Sequence, residues 1–187
     1  FRQGVTQFPA AFSAGQANDP AAIERQGMVE AQELKRLRTQ VNLAPCMDVL
    51  VEGSDPIIGD RSYGSDSRRV CRLGVARVQG LQAHGVAACA KHFPGLGAVQ
   101  RDPHKTLPTI RLDWGAMRAT HLPPFEAAMA AGVAAVMSSH VCYPALGDPE
   151  GLPATFSPRL IRELLRQTMG FSGLIVLVLG IQRLRSG

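Results

Sequence analysis

The stretch GVAACAKHFPGLGAVQRDPHKTLP, residues 85–108, sets a short apolar run against a loop crowded with titratable groups. Val86–Ala90 is apolar without alternation, which is how a strand covered on both faces reads. The loop that leaves it carries Lys91, His92, Asp102 and His104 among glycines and prolines. In parallel α/β folds, ligands are met at the carboxyl ends of the strands. A polar loop leaving a buried strand is therefore a candidate site, and its neighbours in sequence test the idea.

Three further apolar runs have strand length: residues 41–50 (VNLAPCMDVL), 133–141 (VAAVMSSHV) and 173–179 (GLIVLVL). Helical patterns lie between them. Residues 19–40 place Ile23, Gly27, Ala31, Leu34 and Leu37 at helical spacing, with Asp19 as cap and Pro20 in the first turn. A second helix starts at Asp66, with Val70, Leu73, Val78 and Leu81 on one face, and stops before Gly85. Residues 113–131 read as a third helix with a break at Pro123–Pro124, ended by Gly132. Ser157–Pro158 opens a fourth, ended by Gly170. The long polar loops all follow strands, and the links from helix into strand are short. The expected fold is α/β, a partial TIM-type (β/α) barrel with parallel strands, roughly the middle half of the barrel. A doubly wound open sheet is the alternative. Chemistry falls at the strand ends, at Asp48, at Lys91–His92 and at Ser139–His140.

Composition narrows the function. The chain has 187 residues, 45% apolar and 19% charged, enough for an ordinary core. Its net charge of +5 comes mainly from arginines on helix-like segments, with no aromatic residues interleaved, so no nucleic-acid partner is expected. No apolar run is long enough to cross a bilayer. Cys46, Cys71, Cys89 and Cys142 form no CxxC pair and read as reduced, buried small hydrophobes in a soluble, cytoplasmic setting. No cofactor is expected. A metal site built from Asp48, His92, His104 and His140 lacks helical ligand spacing, so no metal is expected either.

Within the loop, Phe93–Pro94–Gly95 supplies a bend that lets both Lys91 and His92 reach one pocket, where an ammonium and an imidazole suit sugar hydroxyls. Asp102 and His104 are two apart, and Pro103 biases Asp102 toward extended backbone. Two readings stand: a carboxylate orienting an imidazole as a general acid/base pair, or two residues that cap a turn.

The stretch KHFPGLGAVQRDPHKTLP closely resembles the KHFPGHG…D-x-H…LP signature of glycoside hydrolase family 3, and more narrowly its β-N-acetylhexosaminidase (β-N-acetylglucosaminidase) branch, associated with peptidoglycan recycling. NLAPCMDV, IGDRSYGSD, GVAAVMSSHVCYPAL, LPATFSP and LLRQTMGFSGLIV agree in order, so the resemblance runs to Val176. It implies a TIM-like barrel and a retaining hydrolase that removes terminal β-linked N-acetylglucosamine. In this branch His104 would be the proton donor and acceptor and Asp102 its partner. Lys91, His92 and Arg61 would bind the sugar, in a glycan or muropeptide. Arg61 has a structural alternative as partner of Asp60 or Asp66. The D-x-H loop argues against a β-glucosidase, which takes its acid/base elsewhere.

The departures carry expectations too. The family's D-x-E-G-G-R-V-x-R stretch would stand just before FRQG, and the nucleophilic Asp expected after GFSGLIV is replaced by Val178. Residues 171–187 contain no Asp or Glu, so no nucleophile is assigned. Leu96 and Pro103 replace a His and a Ser common in the pattern. The expected organisation is a partial barrel domain over 1–176 and a divergent tail over 177–187, truncated at both ends and inactive alone. A non-catalytic carbohydrate binder is the alternative, and self-association through open barrel edges is expected.

Overall fold

A computed structural model describes residues 5–53, 57–99 and 107–177. Asp102, His104 and Val178 lie outside these residues, as does the tail over 178–187.

The elements follow the sequence. Helix α1 (Ala11–Ala17) precedes α2 (Pro20–Arg36), strand β1 (Val41–Asn42), α3 (Ser67–Gln82) and β2 (Ala87–Phe93). Short α4 (Trp114–Ala116) leads into α5 (Pro123–Ala130), then β3 (Ala135–Ser138), α6 (Arg159–Thr168), which is wound as a π-helix, and β4 (Leu174–Val176). Caps explain the helix starts. The Asp19 carboxylate accepts from the Ala22 N–H at 3.1 Å, and Asp66 accepts from Arg68 and Arg69. Ser157 Oγ accepts from the Leu160 N–H at 3.0 Å. Helix α1 had no signal in the apolar pattern, because only its Gly15 is buried. The break expected at Pro123–Pro124 falls just before them: the helix widens over Met117–His121, with the Leu122 N–H reaching Met117, and the prolines open α5.

The strands pair in the order β1–β2–β3–β4, all parallel. A doubly wound sheet reverses its strand order at a switch point. Here each strand lies beside its predecessor and α3, α5 and α6 fill the crossovers, so the fold is an arc of a (β/α) barrel that does not close. The strand expected over 41–50 is regular only at Val41–Asn42. The chain continues alongside β2, with the Met47 N–H on the Lys91 carbonyl at 2.6 Å and the Lys91 N–H on Pro45 at 3.1 Å. Pro45 has no N–H for the ladder, which interrupts the regular pattern.

Alternation along the strands divides the apolar side chains into two sets. Ala88, Ala90, Phe93 and Val136 join the main core with Leu81, Phe125, Leu160 and Leu165 from the helices. Phe93 and Phe125 meet edge to face, with centroids 5.5 Å apart. Cys89, Ala135 and Met137 point the other way into a small cluster with Val176, the position of a barrel interior. The outer strands expose apolar residues: Leu43 is 47% exposed on the β1 side and Leu174 66% on β4. Leu37, expected on the buried face of the second helix, lies past its end and is exposed.

Helices α2 and α3 cross with almost no space between them. A Cβ on Gly80 would lie 2.1 Å from the Glu24 carbonyl oxygen, and one on Gly27 would lie 3.0 Å from the Arg77 carbonyl. We predict that Gly80→Ala lowers stability in urea unfolding, because overpacking of about 1–3 kcal/mol outweighs a helix-propensity gain of at most about 1 kcal/mol. An unchanged midpoint would mean that the crossing has slack.

Candidate functional site

The site is built around a carboxylate out of reach of solvent. Asp48 follows the β1 extension and is fully buried. Its Oδ1 accepts from the Leu96 N–H at 2.6 Å and the His92 N–H at 3.3 Å. Its Oδ2 takes the His92 Nδ1 at 2.7 Å and the Cys46 thiol at 3.1 Å. One side chain thus holds both the end of β2 and the turn beyond it. Burial alone would push the Asp48 carboxyl up, but the hydrogen bonds and charge of His92, the Leu96 N–H and the Cys46 thiol outweigh it and hold the group below its ordinary value. Burial, then the neighbouring Asp48 charge, pushes the Cys46 thiol well up.

The turn is locked from two further sides. Gly95 has φ +132°, and a Cβ there would meet the His121 Cβ at 2.8 Å. The buried Tyr143 hydroxyl donates to the Gly95 carbonyl at 2.9 Å and bonds Ser139 Oγ at 3.0 Å. A Cβ on Gly97 would lie 1.8 Å from the Val49 carbonyl oxygen, so the loop presses directly on the chain that carries Asp48. Ser139 from the third strand end is therefore a support for the turn. His121 is buried with both ring nitrogens unpartnered, and burial lowers its basicity against the pull of Asp48.

The pairing of β2 with β3 shifts between Lys91 and Phe93. This irregularity answers how adjacent strand residues serve one region: Lys91 borders an open pocket while the His92 ring turns to Asp48. The pocket has a volume of about 200 Å³ and its polar wall is Gln26, Cys46, Arg61, Tyr63, Arg77 and Lys91. Arg61 also donates to the Ile57 carbonyl. Arg77, from α3, is mostly buried and ion-paired with Glu30 of α2. Burial pushes the Tyr63 hydroxyl up to about 12, so it remains a neutral donor at ordinary pH. A larger cavity, about 600 Å³, lies at the opposite, amino ends of β3 and β4. It is lined by apolar residues such as Leu122, Met129 and Phe171 together with Arg118, Glu126, Thr168 and Ser172, and it lies away from the strand ends that carry Asp48 and Lys91.

Of the residues expected from sequence, Arg61 and Lys91 share this pocket, and His92 is joined to it through Asp48 and Cys46. Asp102 and His104 fall outside the described residues. The sequence assigns no role to Tyr63 or Arg77; Cys46 is the buried, reduced residue expected, and its bond to Asp48 is an added contact. An acidic residue inside the apolar run NLAPCMDVL was the signal for Asp48.

The pattern of the glycosyl hydrolase family 3 N terminal domain matches residues 1–178, and the chain belongs to that family. A beta-hexosaminidase of Thiobacillus denitrificans is 37% identical over 181 residues, covering 94% of this chain and 49% of the relative. A glycoside hydrolase family 3 beta-N-acetylglucosaminidase from Paenibacillus sp. superposes with a TM-score of 0.90 at 40% identity, over 95% of this chain and 34% of that one. NagZ from Neisseria gonorrhoeae, in complex with N-trifluoroacetyl-D-glucosamine, gives 0.86 at 35% identity, over 94% of this chain and 51% of that one. The chain thus spans about half the length of the curated relatives it matches.

A carboxyl group whose folded pKa is depressed stabilises the fold above its unfolded value and loses that contribution as pH falls through the folded one. For Asp48 the loss therefore begins near the ordinary carboxylate value of 3.8 and continues below it. We predict that Asp48→Asn is less stable at neutral pH by at least about 1–3 kcal/mol, since it turns an amide toward donors. Its stability should also fall less steeply on acidification. Parallel curves for both proteins between pH 5 and pH 2 would refute the role given to Asp48.

Proposed function

We propose that this chain forms the sugar-binding part of a retaining β-N-acetylhexosaminidase acting on terminal β-linked N-acetylglucosamine, in a glycan or muropeptide. The observation that carries the reading is the convergence of Lys91 and Arg61 on one pocket at the carboxyl end of β2, beside a His92 held by a buried carboxylate. Cationic and neutral donors suit the hydroxyl and amide oxygens of such a sugar. A β-glucosidase reading is weaker, because QRDPHKT retains the D-x-H pair. Asp102 and His104 are the proposed acid/base pair, with His104 exchanging the proton and Asp102 orienting it.

The second reading, a carbohydrate binder without turnover, is favoured by one observation. Val178 stands where the nucleophilic Asp is expected, and residues 171–187 hold no carboxylate side chain. A retaining mechanism needs that carboxylate to form the glycosyl-enzyme. On this basis we assign residues 1–176 to the sugar-binding barrel domain and 177–187 to a divergent tail. Four free thiols favour a reducing, cytoplasmic compartment. Among the described residues no helix is long and apolar enough to cross a membrane. The exposed apolar residues on β1 and β4 favour self-association, which a mass above that of the monomer in light scattering would bear out.

The deciding experiment pairs a titration with N-acetylglucosamine and release of 4-nitrophenol from 4-nitrophenyl N-acetyl-β-glucosaminide. We expect saturable binding, weakened at least tenfold in Lys91→Ala and Arg61→Ala with unchanged melting. Turnover should lie on the order of 10⁴-fold or more below that of a family enzyme that carries the nucleophilic Asp. Turnover abolished by His104→Ala would mean that another carboxylate serves as nucleophile. Absence of sugar binding by the folded chain would overturn the reading.

A further inference from the structure

We propose that Cys46, Asp48 and His92 form a site for a soft divalent cation such as Zn²⁺, and that filling it opposes sugar binding in the adjoining pocket. The second half rests on the proposed function; the first does not.

Among the described residues these three are the group whose donor atoms converge closely enough for one ion. The Cys46 Sγ, an Asp48 oxygen and a His92 ring nitrogen all lie within 4.8 Å of one another. Thiolate, carboxylate and imidazole are the donors zinc prefers, at about 2.0–2.3 Å from the ion. Tetrahedral ligands at those bond lengths stand about 3.3–3.8 Å apart. The Sγ–Oδ2 separation of 3.1 Å and the Nδ1–Oδ2 separation of 2.7 Å must therefore open by about an ångström or less. Cys46 also borders the 200 Å³ pocket, which gives the ion an entry path and room for a water as fourth ligand.

Charge favours a divalent ion over none. A bound Zn²⁺ meets one thiolate and one carboxylate and is neutralised by them. The protons balance as follows: the thiol loses its proton to solvent, the Nδ1 proton that His92 now directs at Asp48 also leaves to solvent, and the ring carries its one remaining proton on Nε2 while Nδ1 offers its lone pair. Binding costs the two hydrogen bonds that now end on Asp48 Oδ2. It also draws the Asp48 charge onto the ion and away from Arg61, Arg77 and Lys91, which border the same pocket. Those cations and the bonds on Asp48 are what the sugar reading depends on, so ion and sugar compete without overlapping.

The test uses the 187-residue chain and Co²⁺ as the probe, because cobalt bound by a thiolate gains a near-ultraviolet sulfur-to-metal absorption. We expect this band in the parent protein, its loss in Cys46→Ala and its retention in Cys89→Ala, whose thiol lies in the other cluster. Zn²⁺ should displace the cobalt, with affinity reduced at least ~10-fold in Cys46→Ala. No band in the parent, or a band that survives Cys46→Ala, would overturn the site. Melting curves of both variants without metal check that each folds, and Cys46→Ser keeps the comparison available if alanine leaves a cavity. For the second half, Zn²⁺ should weaken N-acetylglucosamine binding in the parent and not in Cys46→Ala. A cobalt band with zinc-insensitive sugar binding would overturn the antagonism alone. A cobalt band with no sugar binding in metal-free protein would overturn the proposed function while leaving the cation site standing.

Discussion

The Asp48 carboxylate is the constraint on which the rest of the site depends. It sits out of reach of water, where an unpaired carboxylate would be prohibitively costly. Four donors converge on it, from Leu96, the His92 backbone and ring, and Cys46. Because they come from two separate strand ends, satisfying the charge forces β1 and β2 to finish at the same height. The His92 ring is oriented as a by-product, and the Leu96 bond pulls the Gly-rich turn inward. The charge is structural in its cost and functional in its result.

Helix packing feeds into the same place. Arg77 lies on α3 and is mostly buried, yet its side chain forms part of the pocket wall. Its partner Glu30 lies on α2, and the close glycine crossing sets the distance between the two helices. The positive potential of the pocket is therefore fixed by a helix pair on the outside of the sheet. The polar network Ser139–Tyr143–Gly95 does a similar job from the β3 end, holding the turn by hydrogen bonds between buried groups.

The fold was largely legible because parallel, doubly covered strands leave unbroken apolar runs, and because Asp19, Asp66 and Ser157 mark helix starts by their chemistry. Boundaries were less so. Residues 41–50 read as one strand, but Pro45 withholds an N–H from the ladder, a loss of pairing that hydrophobicity does not register. Lys91, His92 and Arg61 were legible through a motif. Tyr63 and Arg77 were not, since their role comes from α3 and the turn before it packing beside β1, a tertiary fact with no periodic trace. Cys46 reads as a buried, reduced thiol and is one, but its apolar neighbours in sequence conceal the carboxylate two residues on to which it donates a hydrogen bond.

The span of the Asp48 contacts has a kinetic consequence. Its bonds to His92 and Leu96 join residues 44 and 48 positions apart, and every strand pair of the sheet is likewise separated by an intervening helix. Such non-local contacts must close a long loop before they return any stabilisation, which slows folding. Helices α2 and α3 can gain structure early from local bonds, whereas the His92 turn has nothing to dock on until β2 lies beside the β1 extension. The site is thus assembled late in folding. By the same token, amides at Leu96 and His92 should open sooner than those of the α3 interior when the native state fluctuates.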